Sequence, residues 1–404
     1  MTTVDALLAE GRRFLDATVP PLPTLDGDFV WGAGSDRITM LEEIERDRTA
    51  EVVAAAKAYA AARFDAGLGW IDGPSEFGGR GLTSAHAVAF AELESRYDVP
   101  NLAPLTIAVG FVGPALLATA SAALQDRYLA ALFRGDVLAC QLFSEPGAGS
   151  DLAAASTRAE RDGDEWVLNG QKVWTSSAHA ADVGLCVART NPDAPRHRGL
   201  TTFLVPMRTP GVEVRPLKQM TGESNFNEVF LDDVRVPDDH RVGDVDGGFA
   251  VILTTLGNER SIALRRPGAG RGFGPFDRLI GLVRTFGDPA DAATRQRLAQ
   301  VYVLDRIKEI QNERWRAGAE PGRTPGPVTM IGKLHNTVVN RHLVALLTEV
   351  LGSRLVADTG EWGTYAWTEY LCSTPGMRIG GGTEEIVRNT VAERVLGLPK
   401  EPRP

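Results

Sequence analysis

Four stretches of this chain carry residue types able to hold a polar ligand or move a proton. The densest is Phe143-Ser144-Glu145-Pro146-Gly147-Ala148-Gly149-Ser150-Asp151, in which two glycines flank a small residue ahead of Ser-Asp. Such a run can aim several backbone N–H groups and a hydroxyl at phosphate or other polar oxygens. A plain tight turn draws on the same composition. The second stretch is Lys172-Val173-Trp174-Thr175-Ser176-Ser177. An indole at a strand end can pack beside a planar ring while the hydroxyls bond its heteroatoms, although a Trp in that setting is more often core.

The third stretch is Met377-Arg378-Ile379-Gly380-Gly381-Gly382-Thr383-Glu384-Glu385-Ile386-Val387-Arg388-Asn389. Three glycines lead into Thr383 at a helix start, with acidic residues in the first turn. That is a capped N-terminus able to bind a polar ligand, and equally an ordinary cap. In the fourth, Leu256-Gly257-Asn258-Glu259-Arg260-Ser261, periodicity adds something. Ile252, Leu256, Glu259 and Ala263 are spaced four, three and four apart, so they share one helix face. A carboxylate on an apolar stripe is costly when unpaired and tends to keep its proton. Glu259 is therefore a candidate general base, with a structural Glu–Arg pair in the core as the plainer account.

The elements that must position these residues change along the chain. Met40 to Phe64, Ser84 to Arg96 and Leu124 to Phe133 read as helices, separated by a turn-rich loop from Trp70 to Gly79. From about Ala139 to Val242 the pattern is short and alternating. Its clearest piece is Glu165 to Trp174, where Asn169-Gly170 predicts a hairpin turn. Thr201 to Val205, Val212 to Val214 and Glu228 to Val236 read as further strands. Helices return after Gly247, with a flexible break at Gly268 to Gly274 that does not fit GxGxxG. Helices, then strands, then helices predict an α+β fold, divided as 1–136, 137–245 and 246–404.

Composition excludes several functions. At 404 residues, 43% hydrophobic and 24% charged, the chain is ordinary globular protein. A net charge of -9 leaves no electrostatic footprint for nucleic acid. No apolar run reaches the length of a membrane span, and Met1-Thr2-Thr3-Val4-Asp5 lacks a leader's basic-then-apolar pattern. Cys140, Cys186 and Cys372 form no CxxC pair, and His86, His179, His197, His240, His335 and His342 have no ligand spacing. No metal site and no disulfide scaffold are expected, and a soluble cytoplasmic enzyme is the default.

Taken together, these segments resemble the acyl-CoA dehydrogenase family over nearly the whole chain. Trp70 with Pro74-Ser75-Glu76-Phe77-Gly78-Gly79-Arg80-Gly81 resembles the loop after that family's early helices. Ser144 to Asp151, Asn169-Gly170-Gln171-Lys172-Val173-Trp174 and Asp232-Asp233-Val234-Arg235-Val236-Pro237 resemble the signature of its β-domain. Gly381 to Asn389, with Ala392-Glu393-Arg394-Val395-Leu396-Gly397-Leu398-Pro399, resembles its C-terminal signature. Such pieces in the family's order carry more weight together than any one alone.

The resemblance implies a helical N-terminal domain, a β-barrel-like middle and a C-terminal four-helix bundle, with FAD between the middle and the bundle. It assigns Phe143, Ser144 and neighbouring backbone groups to the flavin ring, Trp174 to its flank and Ser176 to the vicinity of its reactive nitrogen. Ser150 is assigned to cofactor pyrophosphate or substrate, Arg260 to substrate, and Thr383 and Glu385 to the adenosine half. Arg284-Thr285-Phe286-Gly287 resembles an element whose Arg binds FAD pyrophosphate across a dimer.

Much of the family carries its catalytic glutamate immediately before the Gly-Thr of the C-terminal signature, where this chain has Gly381. A branch resembling the isovaleryl and long-chain enzymes uses a glutamate on the helix after the β-domain instead, and Glu259 matches it. The reaction implied is oxidation of an acyl-CoA to its trans-2-enoyl-CoA. Glu259 takes the α-proton, the Gly381 N–H steadies the thioester oxygen, and the flavin receives the β-hydrogen as hydride. Electron-transfer flavoprotein is the expected acceptor, and a homodimer or homotetramer the expected assembly.

Departures keep rival readings open. Glu349-Val350-Leu351-Gly352-Ser353 stands where the family often has Gln and a Gly-Gly pair. Gln219 to Glu228 and Asp288 to Gln300 resemble a bacterial branch acting on varied, sometimes bulky or sterol-derived acyl groups, some members of which are heteromers. A non-catalytic partner subunit and an oxygen-using flavin oxidase or monooxygenase are the alternatives.

Overall fold

The computed structural model describes residues 2–22, 30–36, 38, 46–265, 275–317, 328 and 330–400, with backbone alone at 258–265, 275 and 316–317. The chain divides into two compact units, Met1–Pro21 with Glu43–Ala263, and Leu22–Glu42 with Leu264–Pro404.

The first unit opens with helices α1 (Val4–Thr18), α2 (Thr49–Asp65), α3 (Ser84–Glu94), α4 (Gly113–Thr119) and α5 (Ala122–Arg134). Their ends are written in the sequence. Ser121 caps α5 by accepting from Leu124 N–H, and Gly135 stops it in the left-handed region at φ 89°. Leu124, Tyr128, Leu129, Leu132 and Phe133 then fall on its buried side. Phe133 stacks on Trp70 with ring centroids 3.6 Å apart, which ties the early loop to this core.

The strands follow: β1 (Ala139–Leu142), β2 (Arg158–Asp162), β3 (Glu165–Ser176), β4 (Val183–Arg189), β5 (Leu200–Pro206), β6 (Val212–Leu217), β7 (Phe226–Pro237) and β8 (Arg241–Val242). They form one sheet in the order β6-β7-β3-β2-β4-β5-β8, with β1 beside β4. Leu185, Val187 and Leu204 pack with Leu129 and Leu132 of α5. Cys140, Cys186 and Phe203 pack instead with Trp166, Leu168, Val229 and Leu231, so both faces of the central strands are covered. That is why β4 and β5 are buried at nearly every position rather than at alternate ones.

Asn169-Gly170 is not a turn. The hairpin turns at Gly163, at φ 63°, between β2 and β3, and β3 runs unbroken through Asn169 and Gly170. Asn169 is held there by Asp233 of β7: its Nδ2 donates to Asp233 Oδ1 at 3.0 Å, and its Oδ1 accepts from Asp233 N–H at 2.9 Å. Gly170 is needed for a different reason, since a Cβ on it would lie 2.5 Å from Thr157 Oγ1. Tertiary pairing has overridden a local turn signal.

Helix α6 (Gly248–Arg265) leaves the first unit with Val251 and Ile252 buried against the same core. The second unit contains α7 (Pro275–Phe286), α8 (Ala292–Ala317), α9 (Met330–Leu351), α10 (Ala366–Ile379) and α11 (Glu384–Arg394). Leu279, Leu282 and Val283 of α7, Val301 of α8, Leu343, Leu346 and Leu347 of α9, and Trp367 and Tyr370 of α10 make its core. Val303, Ile307 and Ile310, spaced four and three apart on α8, are exposed. Among the described residues no helix is long and apolar enough to cross a membrane. The expected break at Gly268 to Gly274 lies outside the described residues, as does the start of the predicted helix at Met40 to Glu45.

Candidate functional site

The run from Phe143 leaves the end of β1 and is closed at once into a turn. Glu145 N–H donates to Ala148 O at 2.9 Å and Ala148 N–H donates back to Glu145 O at 3.1 Å. Gly147 and Gly149 lie at the exposed tip, outside the left-handed region, and a Cβ on either would meet nothing within 4 Å. Neither packing nor backbone conformation demands glycine there, so what the glycines leave open is the approach from outside. Phe143 turns its ring into the core, so only its backbone is available to a ligand. Ser144 is half-buried, and Ser150 is exposed beside an Asp151–Arg196 ion pair of 2.9 Å.

Beneath this loop lies a sealed ion pair. Lys172 Nζ of β3 donates to Glu145 Oε1 at 2.8 Å, to Phe143 O at 3.2 Å and to Val187 O at 2.7 Å. All three ammonium hydrogens have acceptors. Glu145 Oε1 also accepts from Thr157 N–H at 2.9 Å, while its Oε2 accepts from Ser156 N–H at 2.6 Å and Ser156 Oγ at 2.7 Å. Burial alone would raise the Glu145 pKa, but the Lys172 charge and these hydrogen bonds overcome it and bring it down to about 2. A legible signal pointed to Lys172: it shares the inward parity of Trp166 and Leu168 on an alternating strand. Nothing in the spacing pointed to Glu145 as its partner.

Two residues past Lys172 the strand bulges. Lys172 pairs with Val229 and Thr175 with Asn227, so three steps of β3 oppose two of β7. The extra residue throws Trp174 outward: its φ is 59°, uncommon for a residue with a side chain, and it is 58% exposed. The indole makes an edge-to-face contact with Phe226, centroids 5.9 Å apart. The reading of Trp174 as core is thereby overturned. Ser176 ends β3, half-buried, opposite Phe226. Behind the bulge His179 is held against its charged form by burial first and then by the Arg46 guanidinium.

In the second unit Gly381 and Gly382 sit in the left-handed region at φ 68° and 93°. They swing the chain out of α10 and into α11. Thr383 caps α11, its hydroxyl accepting from Ile386 N–H at 3.3 Å. Lys333 of α9 donates to the carbonyls of Gly380 and Gly382. Glu384 is buried and bound by Arg378 Nε at 2.8 Å, which holds its carboxyl below the usual range. Glu385 points to solvent, as does Arg284 on α7. Glu259 and Arg260 belong to α6, but their side chains lie outside the described residues. Among the described residues no three His, Cys, Asp or Glu side chains gather as a metal site would need.

Comparison with known proteins identifies the family. Residues 37–136, 140–234 and 246–396 match the N-terminal, middle and C-terminal domains of acyl-CoA dehydrogenase. The acyl-CoA dehydrogenase IpdE1 of Mycobacterium tuberculosis is 38% identical over 340 residues, which is 83% of this chain and 85% of that one. FadE34 of the same organism, also an acyl-CoA dehydrogenase, is 44% identical over 277 residues, 68% of this chain but 37% of its own length. Among solved structures, the Tcur3481-Tcur3483 steroid ACAD superimposes with a TM-score of 0.74 over 98% of both chains at 24% identity, a likeness of fold. The ChsE4-ChsE5 complex from Mycobacterium tuberculosis does so at 0.67, over 90% of this chain and all of that one, also at 24%. The chain belongs to the acyl-CoA dehydrogenase family, whose members are FAD-dependent oxidoreductases acting on acyl-CoA thioesters.

Proposed function

We propose that this chain holds FAD and oxidises an acyl-CoA thioester to its trans-2-enoyl-CoA, with Glu259 as the base. The observation that carries the reading is Trp174, a large apolar ring held exposed at a strained φ beside an open glycine loop. Such strain persists where the surrounding structure enforces it, and it concentrates at ligand sites. The fit to a flavin is good in kind: a ring to flank it, backbone donors at its edge and open space at Gly147 and Gly149. Bound there, FAD supplies the acceptor for a hydride from the β-carbon.

The chain's own groups divide the remaining work. Ser144, with the Phe143 backbone, and Ser176 hydrogen-bond the polar edge of the ring, and Ser150 meets pyrophosphate or substrate. Thr383 and Glu385 hold the adenosine half, and Arg284 reaches the pyrophosphate of a neighbouring subunit. Glu259 removes the α-proton and Arg260 steadies the substrate. The left-handed turn at Gly381 offers its backbone N–H to the thioester oxygen, where charge develops. The functional segments are 1–136, 137–245 and 246–404.

The acyl group is fatty or sterol-derived; the likeness of fold to the steroid ACAD favours the second. Electron-transfer flavoprotein is the acceptor. Assembly is a homodimer or homotetramer, or a heteromer as in the complexes named above, and the exposed Val303, Ile307 and Ile310 stripe favours a covering partner. A subunit that acts only within such a heteromer is the second reading. Titration of the purified apoprotein with FAD tests the cofactor claim. Uptake of one FAD per chain with quenching of tryptophan emission is expected, and a protein that takes none, alone or co-expressed with a partner, overturns it.

A further inference from the structure

The Lys172–Glu145 pair stands apart from the other ion pairs of the described residues. Its side chains are 0% and 3% exposed, against 17% and 14% for Arg63–Glu94. Desolvating two ions costs several kcal/mol each, and an apolar pair of equal volume would fill the space at no loss of stability. What the charges add is direction. Lys172 Nζ draws on the Phe143 carbonyl, which shares its peptide group with the Ser144 N–H. That N–H has no backbone acceptor among the described residues. A cation at the oxygen end of a peptide polarises the group and makes its N–H a stronger donor.

The same ammonium anchors β3 two residues before Trp174, and Val173 N–H donates to Ser144 O at 2.9 Å, stitching loop to bulge. The remaining acceptor sites of Glu145 are filled by Ser156 and Thr157, so the carboxylate is fixed as firmly as the cation. We propose that Lys172 and Glu145 are positioning residues of the flavin site, which hold the Ser144 N–H and the Trp174 indole in register and strengthen that N–H as a donor to the reduced, more electron-rich flavin. The inference rests on the FAD reading above. A stronger donor favours the reduced cofactor, so loss of the pair lowers the reduction potential.

The test is the double variant Lys172→Met with Glu145→Gln, which removes both charges at nearly constant shape. The FAD-loaded full-length protein is compared with wild type by equilibration against reference dyes. Relative affinity for reduced over oxidised flavin is expected to fall about tenfold, a potential lower by about 30 mV for a two-electron couple, with a shifted visible band. An unchanged potential and band would overturn the proposal. Should the double variant not fold, Lys172→Met alone serves, with the same expected direction, since it removes the cation while Glu145 keeps its Ser156 and Thr157 donors; failure of both to fold would make the pair a stability element and overturn it equally. A wild-type protein that takes no FAD would end the flavin reading, and this inference with it.

Discussion

Val173 N–H donates to the carbonyl of Ser144 at 2.9 Å, so the loop after β1 is tied directly to the bulge that displays Trp174. The two stretches are nearly thirty residues apart in the chain. Their union brings the backbone of the glycine loop next to the strand segment that carries the exposed indole.

Trp174 is strained and unburied, so removing its side chain should not harm the fold. Trp174→Gly relieves a left-handed residue worth about 1 kcal/mol at the loss of one edge contact with Phe226. The apoprotein's thermal midpoint is expected to be unchanged or higher, while FAD affinity falls at least about tenfold. Calorimetry with flavin titration checks both; a destabilised variant with unaltered affinity would make the indole a structural residue after all.

The glycine tip gives a cleaner separation. Gly147→Ala with Gly149→Ala adds two methyl groups into open space, so stability should move by less than about 0.5 kcal/mol. Binding of FAD or acyl-CoA should weaken measurably. Equal binding by both proteins would mean that nothing approaches that tip.

Acid should unlock the loop. The Glu145 carboxyl is shifted from 4.5 to about 2 in the folded protein. A depressed folded pKa gives stability that is present above the unfolded value and lost as pH falls through the folded one, here between about 4.5 and 2, and on the order of 3 kcal/mol. Denaturant melts of wild type and Glu145→Gln across that window should converge at its acid end. Parallel curves would place the acid sensitivity elsewhere.

For the base, Glu259→Gln should keep FAD and lose at least about 10²-fold in turnover. Gly381→Glu in that background should restore part of it, because it returns a carboxylate to the position used by much of the family. Near-wild-type turnover of the single variant would remove Glu259 from the role.

Much of the architecture was legible in sequence. The change of texture at Ala139 and the return of helices after Gly247 coincide with β1 and α6. Asn169-Gly170 misled because the strongest local turn signal was outweighed by long-range pairing with Asp233 and close approach to Thr157. Trp174 was legible as a candidate but not as exposed, since a bulge arises from the count of residues on two strands and not from either alone. The buried cation was visible in the parity of Lys172; its anion was not, because Glu145 lies on another element at no fixed spacing.

Anaerobic titration of the FAD-loaded protein with a panel of straight, branched and sterol-derived acyl-CoAs tests the central claim most directly. Bleaching of the flavin band by one class, with a new long-wavelength charge-transfer band, is the predicted result. A flavin that is reduced by dithionite yet by no thioester in the panel, with or without a co-expressed partner subunit, would contradict it.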